Sequence, residues 1–351
     1  NYPLLKSILK MKKSLMTLGV LALFVLMAYG QEKKFALYSV AFYNMENLFD
    51  TIHDEGKNDY EYLPNGTNQW NTMKYKAKLK NMSEILSMLS TDKLPMGPAI
   101  IGVSEIENYR VLEDILKQPA LADRGYQYVH YEGEDQRGVD CAFFYNPKLF
   151  ELTNSKLVPY VYINDTVHKT RGFLIASGNI AGEKMHFIVN HWPSRAAASP
   201  ARERAGEQVR AIKDSLLRED SAAKIVIMGD MNDDPMDKSM AVALGAKRKP
   251  ADVGPTDLYN PWWDTLKKGY GTLMYKGKWN LFDQIVFTGN LLGTDRSTLK
   301  FYKHEIFRRD FMFQKEGKYK GYPKRTQAGG VWLNGYSDHL PTIIYLIKEV
   351  K

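Results

Sequence analysis

The chain has one cysteine among its 351 residues. A lone thiol excludes an intrachain disulfide, so the core must hold by packing alone. Internal repeats, heptads and low-complexity tracts are also missing, which excludes solenoids, coiled coils and fibrous folds. Charge of one sign is scarce: 48 Lys and Arg face 40 Asp and Glu, a net +8. Four of those cations, Lys6, Lys10, Lys12 and Lys13, fall in the first thirty residues, which hold no acid, so the remainder carries 8 − 4 = +4. A weakly basic chain fits an anionic substrate but argues only faintly for nucleic acid. No apolar run is of bilayer-spanning length; residues 18–27 (LGVLALFVLM) are too short and wrongly flanked.

What is present is ordinary for a globular protein, 44% hydrophobic and 25% charged. The start reads as a processed leader. Residue 1 is Asn, so Met11 is the expected initiator; Lys12 and Lys13 give a positive region before the apolar run, and Ala28-Tyr29-Gly30 suits cleavage near Gly30. The expectation is an exported protein, periplasmic or extracellular, with a leader and signal peptide over 1–30 and a single domain over 31–351. A lipoprotein would need Cys at the cleavage point, and the only one is Cys141, in an apolar run (CAFFY) that reads as core.

Strand-type runs recur at residues 34–43, 99–103, 139–145, 173–177, 185–190, 224–228, 282–287 and 342–346. Helical spacing marks residues 73–89, 109–116 and 200–217. Mixed strands and helices without strict alternation indicate α/β or α+β layers rather than a doubly wound parallel sheet.

Polar residues collect where those strands end, and functional groups concentrate on loops held by rigid elements. Glu105 follows a strand that should be buried, so its carboxylate needs a partner such as Mg²⁺, or else a salt bridge. Asn44 and Glu46 share a face if their strand persists, and both could then reach one metal or phosphate; a turn capped by Asn44 is the alternative. His191 could donate to a phosphoryl oxygen and Arg195 could grip one bidentately, or the two could be a packed His beside a solvated Arg. In GDMNDDP (229–235), Asp230 could orient or deprotonate a water and Asn232 hold a phosphate oxygen, while Asp233, Asp234 and Pro235 read as the turn presenting them. Asp338 beside His339 suits a metal contact next to a proton-transfer or phosphate-binding His, whose tautomer Asp283 could fix.

The ordered set N-x-E, S-E, N-H-W, G-D-x-N-D-x-P, D-Q-I and S-D-H-L-P resembles the endonuclease/exonuclease/phosphatase superfamily, from about residue 35 to the C-terminus. The resemblance implies a four-layered α/β sandwich, two mixed β-sheets packed face to face with helices outside. It implies a phosphoesterase dependent on Mg²⁺ or Mn²⁺, with in-line attack of water on phosphorus. Carried over, Glu105 is the main metal ligand with Asn44, Glu46 and Asp338 close by; Asp230 aligns the water; Asn232 and His191 grip the phosphate; and Asp283 pairs with His339, as base or as phosphate stabiliser. Arg137, Asp140 and Arg171 are expected to line the cleft with Arg195. Ser104 departs from the Gln of the abasic-site branch, and residues 137–140 (RGVD) depart from the usual apolar strand start. The expected substrate is a phosphodiester, nucleic acid among the candidates, with a phosphomonoester or phospholipid as alternatives; a non-catalytic binding protein on the same fold is the rival from another class. No stable protein partner is implied, and a monomer is expected.

Overall fold

The structure is a computed structural model in which residues 33–163, 165 and 167–350 are described; the expected signal peptide and its cleavage point lie outside them. Residues 37–348 form one unit, and residues 1–36 with 349–351 fall in a second, of which only residues 33–36, 349 and 350 are described.

The strands are β1 (Lys34–Leu48), β2 (Ile100–Ile106), β3 (Gln127–His130), β4 (Asp140–Tyr145), β5 (Phe150–Val158), β6 (Phe173–Ile180), β7 (Glu183–His191), β8 (Lys224–Asp230), β9 (Ala246–Lys247), β10 (Leu258–Tyr259), β11 (Leu273–Tyr275), β12 (Lys278–Asn280), β13 (Asp283–Thr288), β14 (Lys300–Ile306), β15 (Gln327–Ala328), β16 (Val331–Trp332) and β17 (Thr342–Val350). One sheet runs β14-β17-β1-β2-β4-β3 and the other β5-β6-β7-β8-β13-β10-β9. Both are mixed: β1 and β2 pair parallel, as do β7 and β8, while β4 and β13 run antiparallel to their neighbours β2 and β8.

Successive side chains of a strand point to opposite faces, and here both faces are covered. Val40 and Phe42 of β1, Phe143 of β4, Phe187 and Val189 of β7, Val226 and Met228 of β8, and Ile344 and Leu346 of β17 fill the layer between the sheets. The alternate residues Ala41, Tyr43 and Met45 of β1 meet helices α1 (Thr72–Met88) and α2 (Tyr109–Leu116). Ile225 and Ile227 of β8 meet helix α3 (Ser199–Glu219) and a π-type turn, Ser239–Leu244. Four layers follow, helix–sheet–sheet–helix. Each fully buried Leu, Ile or Phe contributes roughly 1.5–3 kcal/mol, so this layering needs no disulfide. At Gly102 of β2 the facing sheet leaves no room for a side chain: a Cβ would stand 2.6 Å from Met228 Sδ.

The helices begin where the sequence supplies caps. The side chain of Asn71 accepts from Lys74 N, and that of Asn108 from Arg110 N and Val111 N. Pro200 opens α3. Cys141 is buried in the inter-sheet layer, and burial pushes its thiol up, away from the reactive thiolate.

Candidate functional site

The topology brings distant residues to one edge. β1, β2, β7 and β8 end there, delivering Asn44, Glu105, His191 and Asp230; β13 begins there with Asp283, and His339 stands just ahead of β17. Pairing sets the register: Asn44 lies opposite Ser104, His191 opposite Asp230, and Asp283 opposite Asp230.

The ends of β1 and β2 bulge together. Between the Asn44↔Ser104 and Leu48↔Ile106 pairs, β1 carries three residues against one in β2. Glu46, Asn47 and Glu105 there have φ of 44°, 53° and 58°, and Asn232 has 51°. Left-handed backbone at a non-glycine residue costs roughly 1–3 kcal/mol and persists only when its surroundings impose it, most often at functional sites. Here the bulge aims the Glu105 carboxylate at the cleft: Oε1 accepts from Asn44 Nδ2 at 3.1 Å and Oε2 from Asn47 N at 2.9 Å. The same Asn44 amide donates to Asp230 Oδ2 at 3.0 Å, bridging two carboxylates on different sheets.

Bulging also separates Asn44 from Glu46, which an uninterrupted strand would have placed on one face. Both Glu46 oxygens are taken, Oε1 by Arg325 Nε at 2.9 Å and Oε2 by Thr326 N at 2.6 Å. Burial pushes Glu46 up to about 7, Asp338 adding to it while Lys78 and Arg325 oppose it. Asp338 is bound the same way, Oδ2 to Arg325 Nη2 at 2.9 Å. Neither residue lines the cleft, but Asp338 Oδ1 stands 4.0 Å from His339 Nε2 at its edge.

That cleft holds about 330 Å³ and is lined by Glu105, His191, Asp230 and His339, with Asn232, Ser194, Arg137 and Arg171 around them. His191 Nε2 stands 3.6 Å from Glu105 Oε1 and 3.8 Å from Asp230 Oδ2. Burial, with Arg171 and Arg137 beside it, pushes His191 well below the usual histidine range, so it is neutral; its buried Nδ1 has no partner. His339 is the opposite case. Burial works against its charge, but the carboxylates of Asp283 and Asp230 outweigh burial and hold it well above the usual range. Its Nδ1 donates to Asp283 Oδ2 at 2.7 Å, and its Nε2 stands 3.8 Å from Asp230 Oδ2. Burial pushes Asp230 up to about 7; His339 opposes the rise, and Asp283 and Glu105 add to it.

Asn232 does not present its amide NH₂ freely: Nδ2 donates to Trp192 O at 3.0 Å, and its backbone N donates to Asp230 Oδ1 at 2.9 Å. Arg171 is buried, tied to Asp135 Oδ2 at 3.1 Å and Trp192 O at 2.8 Å. Two expected cleft residues point elsewhere. Arg195 lies over the Phe282 ring, 4.4 Å from its centroid, and reaches Asp234 and Asp237, because the acids of the 233–237 turn compete for it. Asp140, at the start of β4, accepts from Gly133 N and meets His130 Nε2 at 3.2 Å. Asp233, within that presenting turn, is buried against Arg202 (2.9 Å) and Ser239 (2.7 Å), locking the turn to α3.

The residues fit a hard divalent ion. Glu105, His191 and Asp230 offer ligand atoms within 4.8 Å of one another, as do Asp230, Asp283 and His339, and a third such group is His130, Glu132 and Asp140. Clustered buried carboxylates repel one another unless a cation or protons intervene, and Mg²⁺ uses one or two carboxylates with waters and substrate oxygens completing its shell. Glu105, more open than its cleft neighbours Asp230 and Asp283, suits that use.

Sequence reasoning missed Arg325 and Lys78. Arg325 sits in a polar loop without local signal. Lys78 did leave one, a cation on the apolar stripe of α1 between Tyr75 and Met82; it is buried, bonding Thr326 Oγ1 at 2.5 Å and Tyr336 O at 2.6 Å.

Solved structures share the fold. An endonuclease/exonuclease/phosphatase family protein of Bacteroides thetaiotaomicron is 15% identical, TM-score 0.56, over 91% of this chain and 98% of that one. The mannosyl-6-phosphatase Bt3783 of the same species is 14% identical, TM-score 0.54, over 88% and 99%. D. rerio TDP2, complexed with single strand DNA product, is 14% identical, TM-score 0.51, over 89% and 99%. No curated protein sequence matches the chain. Residues 39–348 match the Endonuclease/Exonuclease/phosphatase family, and the chain belongs to that family.

Proposed function

We propose that the protein is a divalent-metal-dependent phosphoesterase that hydrolyses phosphodiesters by in-line attack of water, and that it acts after export. The observation that carries this reading is convergence: Glu105, His191, Asp230 and His339, drawn from both sheets, line one cleft. Glu105 would hold Mg²⁺ or Mn²⁺, with Asp230 and His191 within reach, and the ion would supply positive charge against the phosphoryl oxygens. Asp230, its carboxyl pushed up to about 7 by burial, orients the attacking water and in its ionised form takes up the water's proton. The charged His339, fixed by Asp283, and the Arg171 and Arg137 guanidinium groups face the negative charge that grows on phosphorus oxygens. Neutral His191 offers a ring N–H to one such oxygen, and Asn232 fixes the turn that carries Asp230.

A phosphomonoester of a small polar alcohol is the second reading. A pocket of about 180 Å³ between Glu46, Asn47 and the Gly329–Gly330 turn carries amides, carboxylates and the Tyr62 side chain, which suits a hydroxylated leaving group. The similar fold of a mannosyl-6-phosphatase supports keeping it. The deciding experiment is hydrolysis of bis(p-nitrophenyl) phosphate and of p-nitrophenyl phosphate, with Mg²⁺, Mn²⁺ or chelator, by wild type and Asp230→Asn. Metal-dependent turnover of the diester, lost in the variant, is expected. Turnover of the monoester alone would favour the second reading, and full activity of Asp230→Asn would overturn the mechanism.

A further inference from the structure

Beyond the cleft, residues 308–325 carry seven Lys or Arg (308, 309, 315, 318, 320, 324 and 325) against Asp310 and Glu316, a local +5 out of the chain's +8. Arg325 is consumed by Glu46 and Asp338. Among the described residues, none of the other six cations pairs with a carboxylate within 4.0 Å. For exposed lysines that is ordinary. For Arg308 it is not: its guanidinium is caged by Tyr270, Trp279 and Phe313, with centroids at 5.5, 5.0 and 5.0 Å, and its Nη1 is buried without a hydrogen-bond partner. A guanidinium held rigid by aromatic faces, with no carboxylate beside it, leaves its charge uncompensated next to the cavity it lines.

A cavity of about 390 Å³ opens there, lined by Arg308, Arg309, Phe313, Gln314, Lys315 and Lys320, with Asp310 the one acid on its wall against four cations. The loop is ordered by its own pairing: Lys324 N donates to Met312 O at 2.7 Å and Gln314 N to Tyr322 O at 2.8 Å. It is also joined to the cleft. Phe307 N donates to Pro341 O, two residues past His339, and Leu273, on the hairpin carrying Trp279, bridges to His339. Tyr270, Tyr275 and Tyr319 are about half exposed, at 51, 62 and 49%. Cations tracking a backbone with exposed rings between them form the pattern that binds single strands.

We propose that Arg308, Arg309, Lys315 and Lys320 form a second anion site, which holds a single-stranded polynucleotide-type phosphodiester chain whose scissile group lies in the cleft. This rests on the phosphoesterase reading of the cleft, but the binding can be tested without turnover. Fluorescence anisotropy of labelled oligothymidylate, in chelator and over a salt series, reads the affinity of the full chain directly. Wild type is expected to bind with a salt-dependent Kd. The surface double variant Lys315→Gln/Lys320→Gln is expected to bind about tenfold more weakly, with the slope of log Kd against log salt reduced by about 1.4, since each cation on single strands contributes about 0.7. Arg308→Gln is expected to weaken binding as well, and the double variant alone carries the test if that cage fails to fold. Unchanged affinity and slope in the double variant would overturn the proposal, as would binding of phosphatidylserine vesicles through these residues with no oligonucleotide binding. If small diesters are hydrolysed yet oligonucleotide binding ignores these cations, this inference alone fails. If binding depends on them while no diester is hydrolysed, the anion site stands and the catalytic reading fails.

Discussion

Replacing Asp283 by Asn probes the most tightly specified contact of the cleft. Asp283 is fully buried and its Oδ2 accepts from His339 Nδ1 at 2.7 Å. A hydrogen bond to a charged partner is worth about 1.5–3 kcal/mol and a neutral one about 0.5–1.5. The isosteric amide keeps the neutral bond and removes the charge, so the imidazolium loses about 1–1.5 kcal/mol, close to one unit of pKa. The sign follows from the raised pKa: wild-type His339 stays protonated as pH rises, and the variant gives up that proton at lower pH. Activity on a small diester is therefore expected to fall about tenfold or more at pH 8, with a smaller loss at pH 6. The alkaline limb of the pH–rate profile should move down by about one unit. A variant within twofold of wild type at both pH values, with an unmoved limb, would refute the claim that Asp283 keeps His339 charged for catalysis.

Two further expectations concern the scaffold. Gly102→Ala would place its Cβ 2.6 Å from Met228 Sδ and 3.2 Å from Val189 Cγ1, so calorimetry should show a loss of about 1–3 kcal/mol from overpacking between the sheets. His304, beside Trp262 and bonded to Thr265 Oγ1 at 2.9 Å, is pushed down to about 4 by burial, with Lys268 adding to the shift. Its folded pKa lies below the unfolded value of about 6.5, so its contribution is present above that pH and is lost as pH falls toward 4. Denaturant titrations should show wild type losing up to about 2 kcal/mol more than His304→Gln between pH 7 and pH 5.

The strands that were legible in the sequence and those that were not differ in position. β1, β2, β7, β8 and β13 lie inside the sheets with both faces covered, so apolar runs such as residues 225–228 announce them. β3, β5 and β14 stand at sheet edges, where one side meets solvent and sequences such as KFYKHEI carry no apolar run. The candidate site divides in a similar way. Residues at the ends of interior strands were legible because a polar group closing an apolar run needs a reason. The partners of Glu46 and Asp338 were not, because Arg325 comes from a loop 279 residues along the chain from Glu46. The bulge that turns Glu46 away from Asn44 was hidden too: left-handed backbone at Glu46 and Glu105 is imposed by the surrounding fold, not by local propensity.

Dependence of turnover on Glu105 and on a divalent ion together tests the central claim most directly. The measurement is the initial rate of bis(p-nitrophenyl) phosphate hydrolysis across a titration of free Mn²⁺ buffered by chelator, for wild type and for Glu105→Gln, with folding of both checked by circular dichroism. The expected result is no wild-type activity in chelator, saturable recovery with Mn²⁺, and a folded variant that stays at least a hundredfold slower at every concentration (about 2.7 kcal/mol of transition-state stabilisation). Full wild-type activity in chelator, or a Glu105→Gln titration that superimposes on wild type, would contradict the account.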